Sequence, residues 1–185
     1  MNTEKTAPSP DVLAVAIKAL MLYSLAEVQA GHATTIRVTA DGRSFGISDD
    51  GRGHSIARAV EGASYLKFIY THFDYPFDSA SGAPIQLQGI GMSLINAMCS
   101  ELALTVRNKG EILKLLFRDG RLHQRTQIST TSAETGNVIS AKIDPRIQQH
   151  DADTELLEVW LLEVLKSSPS LKLFFNDREI LSHQQ

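Results

Sequence analysis

Ser48-Asp49-Asp50-Gly51-Arg52-Gly53 and Leu87-Gln88-Gly89-Ile90-Gly91-Met92-Ser93 are the two runs that decide how this chain reads. The first closes the strand-like stretch Ser44 to Ser48 with an aspartate pair and two glycines. Backbone there can approach a flat ligand closely while a carboxylate accepts a hydrogen bond from it. The second is a glycine loop that enters the apolar, helix-compatible stretch Leu94 to Cys99. Such a loop points unpaired backbone N–H groups at an anion, and phosphate is the usual one. Together the two runs predict a purine nucleotide site. Each alone has an ordinary explanation, because aspartate and glycine are turn residues and a glycine loop needs no ligand.

Outward from these runs the sequence organises into one domain over residues 9–185, after a polar, flexible N-terminus at residues 1–8. Ser9-Pro10-Asp11 starts a helix, with Ser9 as cap and proline in the first turn, and Gly31 stops it just past Ala30. Thr34 to Ala40 alternates as a strand, Asp41-Gly42 signals a hairpin, and Ser44 to Ser48 returns. Ser55 to Tyr70 reads as helical. Residues 72–88 include Asp74, Pro76, Asp78, Gly82 and Pro84 and show no sustained periodicity. A long irregular segment directly ahead of a glycine loop is placed like a lid. Beyond the helix that begins near Ser93, Leu102 to Asn108, Ile112 to Arg118 and His123 to Ile128 form a meander punctuated by Lys109-Gly110 and Asp119-Gly120. A strand at Asn137 to Ile143, a second amphipathic helix at Thr154 to Lys166 and a strand at Leu171 to Phe175 before an Asn176-Asp177 turn complete the chain. This order predicts an α+β fold, a two-layer sandwich of a mixed, mostly antiparallel sheet with helices on one face.

The 185 residues suit one domain with a real core, and 43% hydrophobic with 21% charged residues is ordinary for a soluble globular protein. A net charge of −3 with no basic block predicts no direct nucleic-acid partner. Cys99 is the single cysteine, which excludes an intramolecular disulfide, fits a cytoplasmic protein and reads as packing within the helix after the loop. The six histidines lack zinc-ligand spacing. Val12 to Val28 is apolar, but Lys18 interrupts it and Glu27 and Gln29 close it, so a buried helix is expected rather than a membrane span or signal peptide.

Asp-Asp-Gly-Arg-Gly followed by Gly-Ile-Gly-x-Ser-x-x-Asn-Ala resembles the ATPase domain of the B-type chains of bacterial type II topoisomerases, gyrase and topoisomerase IV. That domain shares the Bergerat fold with the heat-shock chaperone and histidine-kinase ATP sites. The resemblance starts near Leu22, takes in Ala30-Gly31-His32 and Thr135-Gly136, and covers most of the chain. It implies ATP or ADP as ligand. Asp49 would accept from the adenine amino group, Gly51 and Gly53 would let the ring lie close, and Asn137 stands where the family carries a threonine that helps read the base. Gly89, Ile90 and Gly91 match the phosphate-holding loop, with Ser93 and Asn96 leading into the next helix. Gln88 replaces a common histidine, and His72 lies near a lysine position of the lid. Glu27 and Arg52 match a pair in which the glutamate holds the arginine over the adenine.

The first helix departs from the pattern. The family's catalytic glutamate, magnesium-binding asparagine and arginine-holding glutamate lie four residues apart on one face, which here reads Ala19, Tyr23, Glu27. Alanine cannot polarise water, and a phenol is a poor magnesium ligand. No catalytic residue or metal ligand is therefore assigned, and nucleotide binding without magnesium is expected to be weak, with hydrolysis impaired or absent. A non-catalytic interaction module with an unknown protein partner is the alternative, and a base supplied by Asp74, Asp78 or a partner is a third. On the length given, the expectation is a stand-alone domain that cannot pass DNA by itself and lacks the family's swapped N-terminal arm.

Overall fold

Two-residue turns lay out most of the sheet. In a computed structural model, which describes residues 11–60, 63–72 and 91–181, Lys109-Gly110, Asp119-Gly120 and Asn176-Asp177 each hold both central residues at positive φ. That is the type I′ geometry whose twist matches the flanking strands. They join β5 (Cys99–Asn108) to β6 (Glu111–Arg118), β6 to β7 (Arg121–Ser129), and β9 (Lys172–Phe175) to β10 (Arg178–Ile180). The first hairpin, β1 (Thr35–Asp41) to β2 (Ser44–Asp49), turns one residue later than expected: Asp41 still pairs with Ser44, so Gly42 and Arg43 are its central residues.

With β8 (Gly136–Ile143), these strands form one sheet in the order β10-β9-β1-β2-β8-β5-β6-β7. Among the described residues only β1 and β9 pair in parallel. A two-stranded piece, β3 (Ala59–Val60) and β4 (Ala63–Ser64), stands apart. Four helices among the described residues, α1 (Val12–Gln29), α2 (Tyr65–Thr71), α3 (Met92–Met98) and α4 (Thr154–Ser167), are present. Ile36, Val38, Ile47, Leu104, Leu115 and Phe117 alternate along their strands and join the buried faces of all four helices in one core. The expected two-layer α+β sandwich is the observed architecture.

By length and composition α1 could cross a membrane, with a mean hydropathy of 1.6. Here it is a core helix, with Leu13, Ala16, Ile17, Leu20 and Met21 buried. Its start is fixed by Asp11. Asp11 Oδ1 accepts from the Ala14 N–H (3.1 Å), and Oδ2 accepts from the N–H of Asp153 (2.8 Å), itself the cap of α4. Gln148 Oε1 takes the Leu13 N–H at 3.0 Å. One carboxylate thus ties the starts of two helices together.

Two further expectations need correction. Ser55 to Tyr70 is not one helix: residues before Tyr65 run irregularly and through the β3–β4 piece, and α2 begins only at Tyr65. The amides of Asn108 and Asn137 pin Gly53 and His54 to the sheet, which commits the following chain to an extended path. Cys99 is not in a helix. It caps α3 with extended backbone and opens β5, opposite Ile143. Its burial was as expected, and burial pushes the thiol up to about 12. Ser9, the lid residues 73–88 with Asp74 and Asp78, and Gly89 and Ile90 of the loop lie outside the described residues.

Candidate functional site

The two aspartates at the end of β2 separate by strand alternation. Asp50 turns to the start of β1, where its carboxylate accepts from Thr34 N–H (2.7 Å), Thr34 Oγ1 (2.6 Å) and Thr35 N–H (2.9 Å). Burial opposes its ionisation, but these hydrogen bonds outweigh it and hold the carboxyl below the ordinary range. Asp49 pairs with Ile36 and so shares the face that carries the helices. Its Oδ2 accepts from Ser24 Oγ of α1 at 2.8 Å, with Asn137 Nδ2 3.5 Å away, and its Oδ1 accepts from Gly51 N–H at 3.0 Å. Each carboxylate oxygen has two lone-pair directions, so acceptor capacity remains.

Glu27, almost one turn beyond Ser24, grips Arg52 at three points: the backbone N–H (3.0 Å), Nε (3.1 Å) and Nη2 (2.8 Å). The arginine side chain is 62% exposed and the glutamate 21%. The Arg52 hydrogen bonds hold the Glu27 carboxyl below its usual value against the opposing effect of burial. Gly51 eases this approach, because a Cβ there would lie 3.0 Å from Asp49 Oδ1 and 3.1 Å from Glu27 Cβ and Cγ, so those side chains would have to give way.

Gly53 stands at φ +73°, and a Cβ on it would fall 2.2 Å from the Arg107 carbonyl oxygen. The close approach that demands glycine here is therefore to the end of β5. Asn108 Nδ2 donates to the carbonyls of Gly53 (3.1 Å) and His54 (3.0 Å), and Asn137 Oδ1 accepts the His54 N–H (3.0 Å). Ser24, His54 and Asn108 were not legible as site residues in the sequence. Ser24 lies three positions before Glu27 on a helix, a spacing that could have revealed it.

On α1, Ala19 is buried and Tyr23 half-buried. The Tyr23 ring meets His54 edge-on at 6.4 Å. Burial and then the Tyr65 phenol raise the Tyr23 hydroxyl above its ordinary value, so it stays protonated. Burial lowers His54 below the usual imidazole value, opposed by the carboxylates of Asp49 and Glu27, and keeps the ring neutral at neutral pH. Among the described residues no group of three or more His, Cys, Asp or Glu side chains gathers to hold a metal.

The remaining expected positions are scattered. Gly91 caps α3 with extended backbone, and among the described residues a Cβ there would meet Ser93 Oγ at an ordinary contact distance of 3.8 Å. Ser93 and Asn96 are buried, and Asn96 Nδ2 serves the fold by donating to the carbonyls of Tyr70 (2.8 Å) and Gly120 (3.1 Å). His72 ends α2, exposed and stacked on Phe68 at 3.9 Å. A cavity of about 610 Å³ is lined by Glu27, Arg52, Gly53, His54, Arg58 and Tyr65 among others. Asp49 is not on its wall. It borders instead a smaller concavity of about 280 Å³ with Thr35, Arg37, Ser48 and Arg107.

A mostly antiparallel sheet roofed on one face by helices, with an acid at the end of a central strand and a glutamate-held arginine beside it, is the fold of type II topoisomerase ATP-binding domains. The topoisomerase IV ATP-binding domain of Francisella tularensis superposes with a TM-score of 0.76 at 20% identity, over 91% of this chain and 85% of that one. The 43K ATPase domain of Thermus thermophilus gyrase B, solved with an aminocoumarin, gives 0.72 at 26% identity, over 92% of this chain and 43% of that one.

The sequence relatives agree: this chain is a homologue of the gyrase B and topoisomerase IV B proteins. It is 29% identical to the B chain of DNA topoisomerase 4 from Mycoplasma genitalium over 173 residues, 86% of this chain and 26% of the relative. It is 30% identical to DNA gyrase B of Thermotoga maritima over 165 residues, 84% of this chain and 25% of the relative. The chain thus spans about a quarter of the length of these relatives. No protein-family model matches it.

Proposed function

We propose that this chain binds adenine nucleotide through the Asp49 carboxylate, weakly and without magnesium, and hydrolyses ATP at or near background. The observation that carries the reading is the constellation around Asp49. Ser24 and Gly51 orient the carboxylate, Asn137 stands beside it, and Glu27 holds Arg52 in a bidentate grip next to it. A fixed acceptor beside a planar cation suits an amino-bearing flat ring. The absence of an acid or amide at Ala19 and Tyr23 supports the loss of water activation and metal binding on α1. Calorimetric titration with ATP and ADP, with and without magnesium, tests the reading. Saturable heat that Asp49→Ala abolishes is expected.

A second reading, an interaction module that kept the fold and lost the ligand, is favoured by a different observation. Tyr23 and His54 meet edge-on near Asp49, and Asp49 does not line the larger cavity. No heat at millimolar nucleotide would decide for this reading.

A further inference from the structure

Between Val12 and Ala26 the helix α1 carries a single charge, Lys18, and every other side chain there except Tyr23 and Ser24 is apolar. A helix that is apolar on every side belongs inside a protein. Here only one side is inside. Leu13, Ile17, Leu20 and Ser24 are buried in the core, while Val15 on the opposite stripe is 37% exposed. Leu22 and Ala26 continue that outer stripe and are half-buried. The helix beside it repeats the pattern: α4 buries Leu157, Leu161 and Leu165 and turns Leu156 and Val159 outward, 67% and 57% exposed. We propose that the outer faces of α1 and α4 form one apolar surface on which a second copy of this chain docks about a twofold axis.

The two helices lie side by side. α1 packs on β1 and β2, α4 packs on β9 and β10, and β9 is the parallel neighbour of β1. The Asp11 carboxylate accepts the Asp153 N–H at 2.8 Å and so joins the starts of both helices. Further along, Lys18 Nζ stands 5.4 Å from the centre of the Trp160 ring, which puts Trp160 at the seam between them.

Charge selects the occupant. Lys18 is engaged by the Trp160 ring, Glu163 by Lys166 at 2.7 Å, and Glu158 by Arg178. Glu155 stands in the first turn of α4, where the helix dipole favours an acid. The face therefore offers little uncompensated charge to steer an acidic or basic partner. A twofold axis sets a patch against itself, so like charges would meet across it, and compensation within each chain removes that repulsion. Residues 1–10, which lead into α1, have no large apolar side chain after Met1 to cover the face from within.

Size sets the strength. At about 1.5 Å per residue α1 is about 27 Å and α4 about 21 Å long, and two helices each about 10 Å wide make a footprint of about 500 Å². Two such faces bury about 1,000 Å² together, at the transient end of protein interfaces. The dissociation constant should therefore lie on the order of 10–100 µM. Ser24 and Glu27, which reach the Asp49 site, lie on other stripes of α1, so the dimer does not depend on nucleotide.

Trp160 is the single tryptophan, so its emission reports this face. Sedimentation velocity and Trp160 fluorescence of the full chain, from about 5 to about 500 µM, should show a monomer–dimer equilibrium whose emission moves to the blue as dimer forms. Leu156→Lys with Val159→Lys should weaken association at least about tenfold, by setting like charges against each other across the axis. Glu155 and Glu163, one turn to either side of position 159, support the new charge on the helix, so melting curves should stay near wild type. Ile128→Glu, on β7 at the far edge of the sheet and 48% exposed, should leave association unchanged. A monomer throughout that range, assembly beyond a dimer, a dimer that forms without the blue shift or survives the double variant, or loss of the dimer in Ile128→Glu would each overturn the proposal. A blue shift of the monomer on neutral phospholipid vesicles would do the same, assigning the face to a membrane.

Discussion

Ser24 and Asp49, twenty-five positions apart in sequence, are joined by a 2.8 Å hydrogen bond that locks the first helix to the end of the second strand. Ser24 is 3% exposed, so its hydroxyl has little access to water as an alternative partner. Ser24→Ala should cost about 1.5 kcal/mol, the low end for a hydrogen bond to a charged group. Urea denaturation measures the loss. Calorimetry should show weaker nucleotide binding, because the carboxylate is left less well aimed.

The Glu27–Arg52 pair gives a pH signature. Arg52 depresses the Glu27 carboxyl below its ordinary value of 4.5, so the pair contributes stability above that value. The contribution shrinks as pH falls below 4.5 and vanishes below the depressed value, where the carboxyl is protonated in folded and unfolded chains alike. Wild type should be more stable than Glu27→Gln at pH 7, and the gap should close on acidification below 4.5. A gap independent of pH down to 3 would mean the pair contributes nothing through charge. Arg52→Lys, which loses the two-point geometry, should reproduce part of the loss.

Gly53 and Gly91 look alike in sequence and should behave differently. A side chain at Gly53 meets both positive φ and the Arg107 carbonyl. Gly53→Ala should therefore destabilise by about 1–3 kcal/mol. Gly91 has room and ordinary backbone, so Gly91→Ala should cost less than about 1 kcal/mol. If the loop that ends at Gly91 holds phosphate, this variant should lower nucleotide affinity while thermal melting stays near wild type.

Hydrolysis is the fourth expectation. With Ala19 and Tyr23 on the helix face, phosphate release from ATP should stay at background. Ala19→Glu with Tyr23→Asn should raise it by about 10²-fold or more, the lower end of general-base assistance. Turnover by the unmodified chain that survives repurification and disappears in Asp49→Ala would show that a base comes from elsewhere.

The sequence by itself determined the hairpins and the layer order, because these depend on local chemistry. Lys109-Gly110, Asp119-Gly120 and Asn176-Asp177 accept positive φ at low cost, and the alternation in Ile36 to Ala40 or Leu113 to Phe117 puts one face in the core. It also marked Glu27, Asp49 and Arg52, since their spacing echoes a known motif. Only the tertiary structure decided which aspartate of the pair faces the helices, since that depends on β2 pairing with β1 at one register. It alone brought in Asn108 from β5, and it showed that Ser24 and His54, neighbours of Glu27 and Gly53 along the chain, take part in the site. The helical reading of Ser55 to Tyr70 failed for the same reason: the amides of Asn108 and Asn137 hold the segment's entry to the sheet, and local propensity yields to them.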